Sequence, residues 1–103
     1  MTGADESGAR RIGRRIAAAR RAAGLTQAEL AQRLGWPRDT LIHYEHGRRA
    51  LSIDRLSAIA DALTLHPASL LIADERLAAL VQRVLCDTEV QAQVDFFLSA
   101  LDQ

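Results

Sequence analysis

Apolar residues recur at helical spacing along most of the chain, beginning near the N-terminus. Ile12, Ile16 and Ala19 lie at i, i+4 and i+7, which places them on one side of a helix. Arginines occupy many of the remaining positions in this segment. The pattern predicts a first helix over about residues 9–23, with its apolar side turned toward a core.

The stretch 26–47 predicts two short helices joined by a tight turn. Thr26 and Glu29 have the spacing of a capping box, in which both side chains accept backbone N–H groups at a helix start. Gly35 can supply the left-handed conformation with which many helices end. Pro37 suits the first helical position of the second helix, since an N–H there would have no partner. The outward side of that helix is polar and cationic, as a major-groove reader requires.

Four further helices are predicted from start signals and apolar spacing in the rest of the chain. The residues that favour a helix start are Ser52, Pro67, Asp74 and either Asp87 or Thr88. The helix after Ser52 has an apolar stripe made of Ile53, Leu56, Ile59, Ala60 and Leu63. We therefore expect an all-α protein, with a five-helix domain followed by two C-terminal amphipathic helices.

The chain of 103 residues is neutral overall, but its charges are unevenly distributed. Residues 1–55 hold eleven arginines against six acidic residues, a balance of +5. Residues 56–103 hold two arginines against seven acidic residues, a balance of −5. Because the basic half contains the two-helix stretch, an anionic partner is expected at that end. The exclusive use of arginine suits phosphate and guanine contacts, but a GC-rich genome would produce the same bias.

Two motifs occur in a specific order and spacing. The first is GLTQAELAQRLG at residues 24–35, and the second is YEHGRRAL at residues 44–51. With these motifs the chain resembles the lambda repressor/Cro type of helix-turn-helix proteins, the XRE family, over about 60 of its residues, from Ile12 to Leu71. The resemblance implies a lambda repressor-like DNA-binding domain over 9–72. Residues 1–8 are polar with two glycines and are expected to form a flexible tail. Residues 73–103 lie outside the family match and are expected to form a C-terminal helical dimerisation extension.

The chain departs from the common family pattern at a few positions of the second helix. Pro37 and Arg38 stand where many members have serine and glutamine, and Ile42 occupies an outward position that is usually small or polar. These differences leave the expected fold unchanged and the preferred DNA sequence open.

The resemblance implies DNA contacts at individual positions. Three residues match positions that touch base edges, namely Arg38, Asp39 and His43. Ile42 is a fourth base-contact candidate, because its outward apolar side chain suits a thymine methyl group. Five more residues are candidates for phosphate contacts, namely Gln27, Thr40, His46, Arg48 and Arg49. The resemblance also suggests that Glu45 engages Arg20 within the domain.

The chemistry of the base-contact candidates leaves some alternatives open. Arg38 can bind guanine O6 and N7, Asp39 can accept from cytosine N4, and His43 can donate to guanine or phosphate. Asp39 near a helix start also stabilises the helix dipole. Ile42 either contacts a thymine methyl group or is a singly exposed apolar residue. Gln27 either donates to a phosphate or is an exposed residue at a helix start.

The last two helices carry apolar stripes that need a surface to cover them. The stripe residues are Leu77, Leu80, Val81, Val84, Val90, Val94, Phe97 and Leu101. They either fold back onto their own domain or form a two-fold dimer interface. We expect the dimer, because a symmetric pair reads two half-sites about one helical turn apart. Cys86 is expected to be a small apolar filler in this region.

Other chemistry is sparse in this sequence. His43, His46 and His66 lack metal-ligand spacing, and there is no nucleophile–base pair or phosphate-binding loop. We therefore predict no metal, no cofactor and no enzymatic activity. One cysteine favours a reducing compartment, and neither a signal peptide nor an apolar run of about 18–20 residues is present. A cytoplasmic, nucleoid-associated location without membrane contact is expected.

Taken together, these features predict a sequence-specific transcription regulator that binds double-stranded DNA. Its simplest form is a homodimeric repressor that reads an inverted repeat through helix 38–46. The alternative is an antitoxin or adaptor of the same fold, whose C-terminal helices bind another protein. A toxin-like reading frame beside the gene would favour this alternative.

Overall fold

Six α-helices and one 3-10 helix make up residues 7–102, the part of the chain that the computed structural model describes. They are α1 Gly8–Ala22, α2 Gln27–Leu34, α3 Arg38–Glu45, α4 Ile53–Ala62, the 3-10 helix Pro67–Leu71, α5 Glu75–Cys86 and α6 Thr88–Leu101. The all-α prediction is confirmed. Residues 1–6 of the predicted tail lie outside the described residues, whereas Gly8 already belongs to α1.

Side-chain caps explain where most of these helices begin. The Thr26 hydroxyl accepts the Glu29 N–H at 3.1 Å, and the Glu29 carboxylate accepts the Thr26 N–H at 2.9 Å. This confirms the predicted capping box. The backbone N–H and then the hydroxyl of Thr26 hold the pKa of Glu29 below its ordinary value. The side chains of Ser52, Asp74 and Asp87 accept backbone N–H groups at the starts of α4, α5 and α6. Ser52 and Asp74 were the predicted caps, and Asp87 was one of two candidates for α6.

Two local expectations were wrong. Pro37 is the residue before α3 rather than its first residue, and its extended ψ of 143° turns the chain after Gly35. Ile53 was assigned to the apolar stripe of α4, but 81% of its surface is exposed. As the first residue of α4, it lies beyond the point at which the helix meets the core.

Five elements contribute one fully buried side chain each to a single core. These side chains are Ile16 of α1, Leu30 of α2, Leu41 of α3, Ile59 of α4 and Leu70 of the 3-10 helix. Burial of such a side chain stabilises the fold by about 1.5–3 kcal/mol relative to its exposure. The shared core therefore holds α2 and α3 at a set angle to the rest of the domain.

The first helix lies unusually close to the end of α3. Gly13 of α1 is buried, and a Cβ atom at this position would collide with the carbonyl oxygens of Tyr44 and Glu45. Gly47, with a φ of +71°, would place a Cβ atom only 2.6 Å from Cα of Arg10. Glycine at both positions lets the two backbones approach, so α1 supports α3 along its C-terminal half.

The C-terminal helices join this domain through α5. Ala78 of α5 is buried, and Gln82 accepts the backbone N–H of His66 at 2.8 Å. Arg15 of α1 donates to the Ser69 carbonyl oxygen at 3.4 Å and lies 4.0 Å from the Glu75 carboxylate. These contacts tie α5 to α1 and the 3-10 helix.

The last helix, α6, packs mainly against α5. None of its side chains, all of which are described, is buried. The expectation that Cys86 fills an apolar gap was wrong, because its thiol is exposed at the end of α5 and accepts from the Gln82 amide at 3.2 Å. No helix within residues 7–102 has the length and apolar character to cross a membrane.

We expect Gly13→Ala to lower the free energy of unfolding by about 1–3 kcal/mol, because the added methyl group overpacks the α1–α3 contact. Gly8→Ala is the matched control, since a Cβ atom at Gly8 would meet nothing within 4 Å. Alanine favours helices over glycine, so this control should be neutral or slightly stabilising. Urea unfolding of both variants measures the difference. Equal unfolding midpoints would contradict the close approach of α1 to α3.

Candidate nucleic-acid interface

Helix α3 has one side in the core and one side on the surface. Leu41, Tyr44 and Glu45 are buried. The opposite side carries the predicted base-contact residues: Arg38 and Asp39 are exposed, and Ile42 and His43 are partly exposed. Residues four apart on a helix share a face, so Arg38 aligns with Ile42, and Asp39 with His43. The structure therefore brings these four side chains together on one accessible face.

A buried ion pair fixes the inner side of α3. The Arg20 guanidinium donates to Glu45 from Nε at 2.7 Å and from Nη2 at 3.1 Å, and also donates from Nη1 to the Leu25 carbonyl oxygen at 2.9 Å. Only 8% of Arg20 and 4% of Glu45 is exposed. The resemblance suggested this pair, and the structure confirms it. Two-point geometry with a third hydrogen bond is what a buried pair needs to offset the loss of hydration.

Gln27 joins the same network from the start of α2. Its amide Nε2 donates to Glu45 Oε1 at 3.0 Å, and the residue is half-buried. This contact links the first turn of α2 to the last residue of α3. Gln27, a predicted phosphate contact, is thus held in place by the Glu45 carboxylate of α3.

The other predicted phosphate contacts lie on or just after α3. Thr40 is partly exposed on the helix, while His46, Arg48 and Arg49 are exposed around the turn at Gly47. That turn needs the positive φ of Gly47. Thr40 therefore lies on the side of α3, and His46, Arg48 and Arg49 lie beyond its C-terminal end.

Aromatic rings and arginines form a further cluster that sequence reasoning missed, and we call it the aromatic–arginine cluster. The rings of Trp36 and Tyr44 meet edge to face, with centroids 5.9 Å apart. Arg55 of α4 lies with Cζ 4.7 Å from the Trp36 centroid and 5.8 Å from that of Tyr44. Arg49 lies 5.4 Å from the Tyr44 centroid. No local spacing signals this cluster, because α4 meets the α2–α3 turn only in the folded domain.

The predicted dimer-interface residues lie on the surface of α5 and α6. Large residues are strongly exposed, as shown by Leu77 at 50%, Leu80 at 55%, Phe97 at 61% and Leu101 at 63%. The four valines of the set, Val81, Val84, Val90 and Val94, are half-buried. The stripe of α6 therefore does not fold back into the core of its own domain, and its apolar side chains remain accessible.

Comparison with known proteins places this fold and its exposed helix in a family. The model of the helix-turn-helix family HTH_3 matches residues 16–70, more than half of the chain. The chain belongs to this XRE-type helix-turn-helix family, whose members are DNA-binding transcription regulators and generally not enzymes. No curated protein matches the chain significantly.

Two solved structures are similar to the chain. One is the restriction-modification controller protein C.AhdI from Aeromonas hydrophila, with 32% identity and a TM-score of 0.57 over 61% of this chain and 94% of that one. The other is the clp gene regulator ClgR from Corynebacterium glutamicum, with 26% identity and a TM-score of 0.65 over 87% of this chain and 92% of that one. The likeness to ClgR extends over most of this chain.

Arg20→Ala is expected to lower the free energy of unfolding by about 3–5 kcal/mol, because it leaves the Glu45 carboxylate buried without its charge partner. Arg21→Ala removes an exposed arginine from the same turn and should change stability by less than about 0.5 kcal/mol. Denaturant titration followed by circular dichroism compares the two variants. Similar unfolding midpoints would show that the pair does not anchor α3.

Proposed function

We propose that this protein is a sequence-specific regulator of transcription that acts as a homodimeric repressor. One α3 helix per subunit enters the major groove, and the pair reads the two halves of an inverted repeat. The observation that carries the proposal is the placement of four base-contact side chains on the exposed face of a helix whose other face is anchored. Binding at a promoter would exclude polymerase from the site. Such a protein acts in the cytoplasm, on the DNA of the nucleoid.

Each side chain on the exposed face of α3 has chemistry that suits a base edge. Arg38 donates to guanine O6 and N7, and Asp39 accepts from the amino group of cytosine. His43 donates to guanine or to a phosphate group. Ile42 contacts a thymine methyl group, which would remove its partly exposed side chain from water. A good two-point contact contributes about 1–3 kcal/mol of discrimination against the wrong base.

The remaining contacts orient the protein on the backbone of the duplex. We assign phosphate contacts to Gln27, Thr40, His46, Arg48 and Arg49. Gln27 is supported by its hydrogen bond to Glu45, which leaves the second amide hydrogen free to donate. The exposed arginines supply a sequence-independent electrostatic attraction that falls as salt concentration rises.

We assign residues 9–72 to DNA binding and residues 73–103 to dimerisation. The exposed apolar stripe of α5 and α6 supports this division, because burying it in a symmetric interface would remove several large side chains from water. The contacts of α5 with α1 would then fix the distance between the two reading helices of a dimer. Likeness to a structure described as a gene regulator also agrees with a regulatory role.

A second candidate function is binding of a different protein, as in an antitoxin or an adaptor. Phe96 supports it, because 78% of its surface is exposed. Phe96 lies about 100° around α6 from Phe97 and is therefore off the proposed dimer stripe. A heterologous partner could cover this ring without displacing the second subunit.

Selection of duplexes from a random DNA library by the full-length protein is the direct test of the proposed function. We expect an inverted repeat whose half-sites are about one helical turn apart. Recovery of no sequence above background would refute sequence-specific binding by the protein alone. Recovery of a single half-site without an inverted repeat would retain DNA reading and refute the dimer.

Substitutions on and beside α3 should separate base contacts from phosphate contacts. Arg38→Ala and His43→Ala are expected to change the selected sequence, each with a loss of about 1–3 kcal/mol of discrimination at one base pair. Arg48→Ala should weaken binding to all duplexes and reduce the slope of log K against log salt by about 0.9. Arg83→Ala, which removes an exposed arginine from α5, is the charge control. An unchanged selected sequence in both α3 variants would contradict the base contacts.

Phe97→Asp in the full chain is expected to yield a monomer, because a charge in the centre of the stripe cannot be buried in an apolar interface. The fold itself should survive, since Phe97 is 61% exposed. Ser99→Asp adds a charge to an exposed position on the other side of the same helix and should leave the dimer intact. Sedimentation equilibrium distinguishes these states. A Phe97→Asp protein that sediments as a dimer would place the interface elsewhere.

A further inference from the structure

Arg55 has no role in the contacts assigned so far, yet its position in the aromatic–arginine cluster is well defined. It lies on the first turn of α4, and its guanidinium rests over the Trp36 ring with Tyr44 beside it. The residue is half-buried, so much of its side chain is already ordered in the free protein. A side chain ordered before binding loses less conformational entropy when a ligand arrives.

The charges of the cluster are unbalanced. Arg49 and Arg55 both approach the Tyr44 ring, at 5.4 Å and 5.8 Å from its centroid. Within residues 7–102, neither guanidinium has a carboxylate within ion-pair distance. A cation in the first turn of α4 also opposes the helix dipole. An anion placed between the two arginines would relieve both unfavourable interactions.

Within residues 7–102 the Arg55 guanidinium makes no hydrogen bond or ion pair, so its donor groups are available. A guanidinium on an aromatic ring uses its flat face, whereas its N–H donors lie in the plane and point outward from its edge. The planar pair of donors matches the oxygens of a phosphate group. The cluster therefore has the charge and the donor geometry of a phosphate-binding surface.

The placement of the cluster agrees with a contact to the phosphate backbone. Gln27 is held against Glu45, and Arg55 is held against Tyr44 and Trp36. The cluster lies beside α3, because Tyr44 belongs to this helix and Trp36 lies two residues before its start. A helix in the major groove has one phosphate backbone on each side.

We propose that Arg55, together with Arg49, binds a phosphate group of the DNA backbone that runs beside α3. Trp36 and Tyr44 are positioning residues that hold the two guanidiniums beside the reading helix. The proposal rests on the proposed function, since it requires α3 to lie in the major groove. It adds Arg55 to the phosphate contacts and gives the aromatic pair a role in DNA binding.

Equilibrium binding to two DNA probes tests the role of Arg55. One probe is the duplex selected by the wild-type protein, and the other is an unrelated duplex of equal length. We expect Arg55→Ala to weaken binding to both probes by a similar factor of about ten and to reduce the salt slope by about 0.9. Arg55→Lys should retain the salt slope with weaker binding, because lysine keeps the charge without the planar fork. Arg83→Ala should change neither quantity.

Trp36→Leu tests whether the ring positions Arg55 for DNA binding. A ring that is needed only for the fold would not give the following results. The substitution should weaken binding while leaving the salt slope unchanged, because both positive charges remain. In the Arg55→Ala background, the same substitution should have a smaller effect on affinity, which a double-mutant cycle measures. Trp36 is the single tryptophan of the chain, so its fluorescence should also change when DNA draws Arg55 to a phosphate.

The outcomes separate this proposal from the proposed function. If the wild-type protein binds the selected duplex and Arg55→Ala retains its affinity and salt slope, the contact by Arg55 is refuted and DNA reading stands. If Arg55→Ala weakens binding to the selected duplex alone, Arg55 contacts a base rather than a phosphate, which also refutes the proposal. If the wild-type protein binds neither probe, both proposals fail. Urea unfolding of each variant confirms that the compared proteins are folded.

Discussion

The buried pair between Arg20 and Glu45 is the interaction on which the rest of the interface depends. A carboxylate removed from water is costly unless charge and hydrogen bonds replace its hydration. Glu45 receives both from Arg20 and a further hydrogen bond from Gln27. Since this satisfies the carboxylate in one arrangement of α1, α2 and α3, the pair restricts how these helices can pack. An apolar pair of similar volume would tolerate small rotations that this geometry does not.

Fixing α3 in this way has consequences on both of its sides. The glycine contact with α1 holds the C-terminal half of the helix, and the core holds Leu41. The outward face is then free to carry side chains chosen for chemistry rather than packing, which is why a polar and charged set can occupy it. Gln27 and the aromatic–arginine cluster both contact residues of α3 or of the turn before it, so side chains around this helix are ordered by contacts within the domain.

The C-terminal helices differ from the domain in how their apolar residues are used. Only Ala78 of α5 is buried among the described residues of α5 and α6, whereas Phe96, Phe97 and Leu101 are each more than half exposed. Exposed apolar area of this kind favours association with another surface. Arg15 joins α1 to Glu75 of α5 and to the 3-10 helix, and α1 also packs against α3, so α5 is linked to α3 through α1.

Local chemistry in the sequence was enough to predict the helix starts, because a cap joins residues only two or three positions apart. Thr26, Ser52, Asp74 and Asp87 all cap the helices that were expected. The helix-turn-helix motif likewise predicted the outward face of α3, since a helical repeat determines which residues share a side. The Arg20–Glu45 pair was inferred only from family resemblance. Only the tertiary structure decided the exposure of Ile53 and Cys86, the accessible stripe of α6, and the approach of Arg55 to Trp36. These features depend on the angles between helices, which arise from packing between distant segments and leave no periodic signal in the chain.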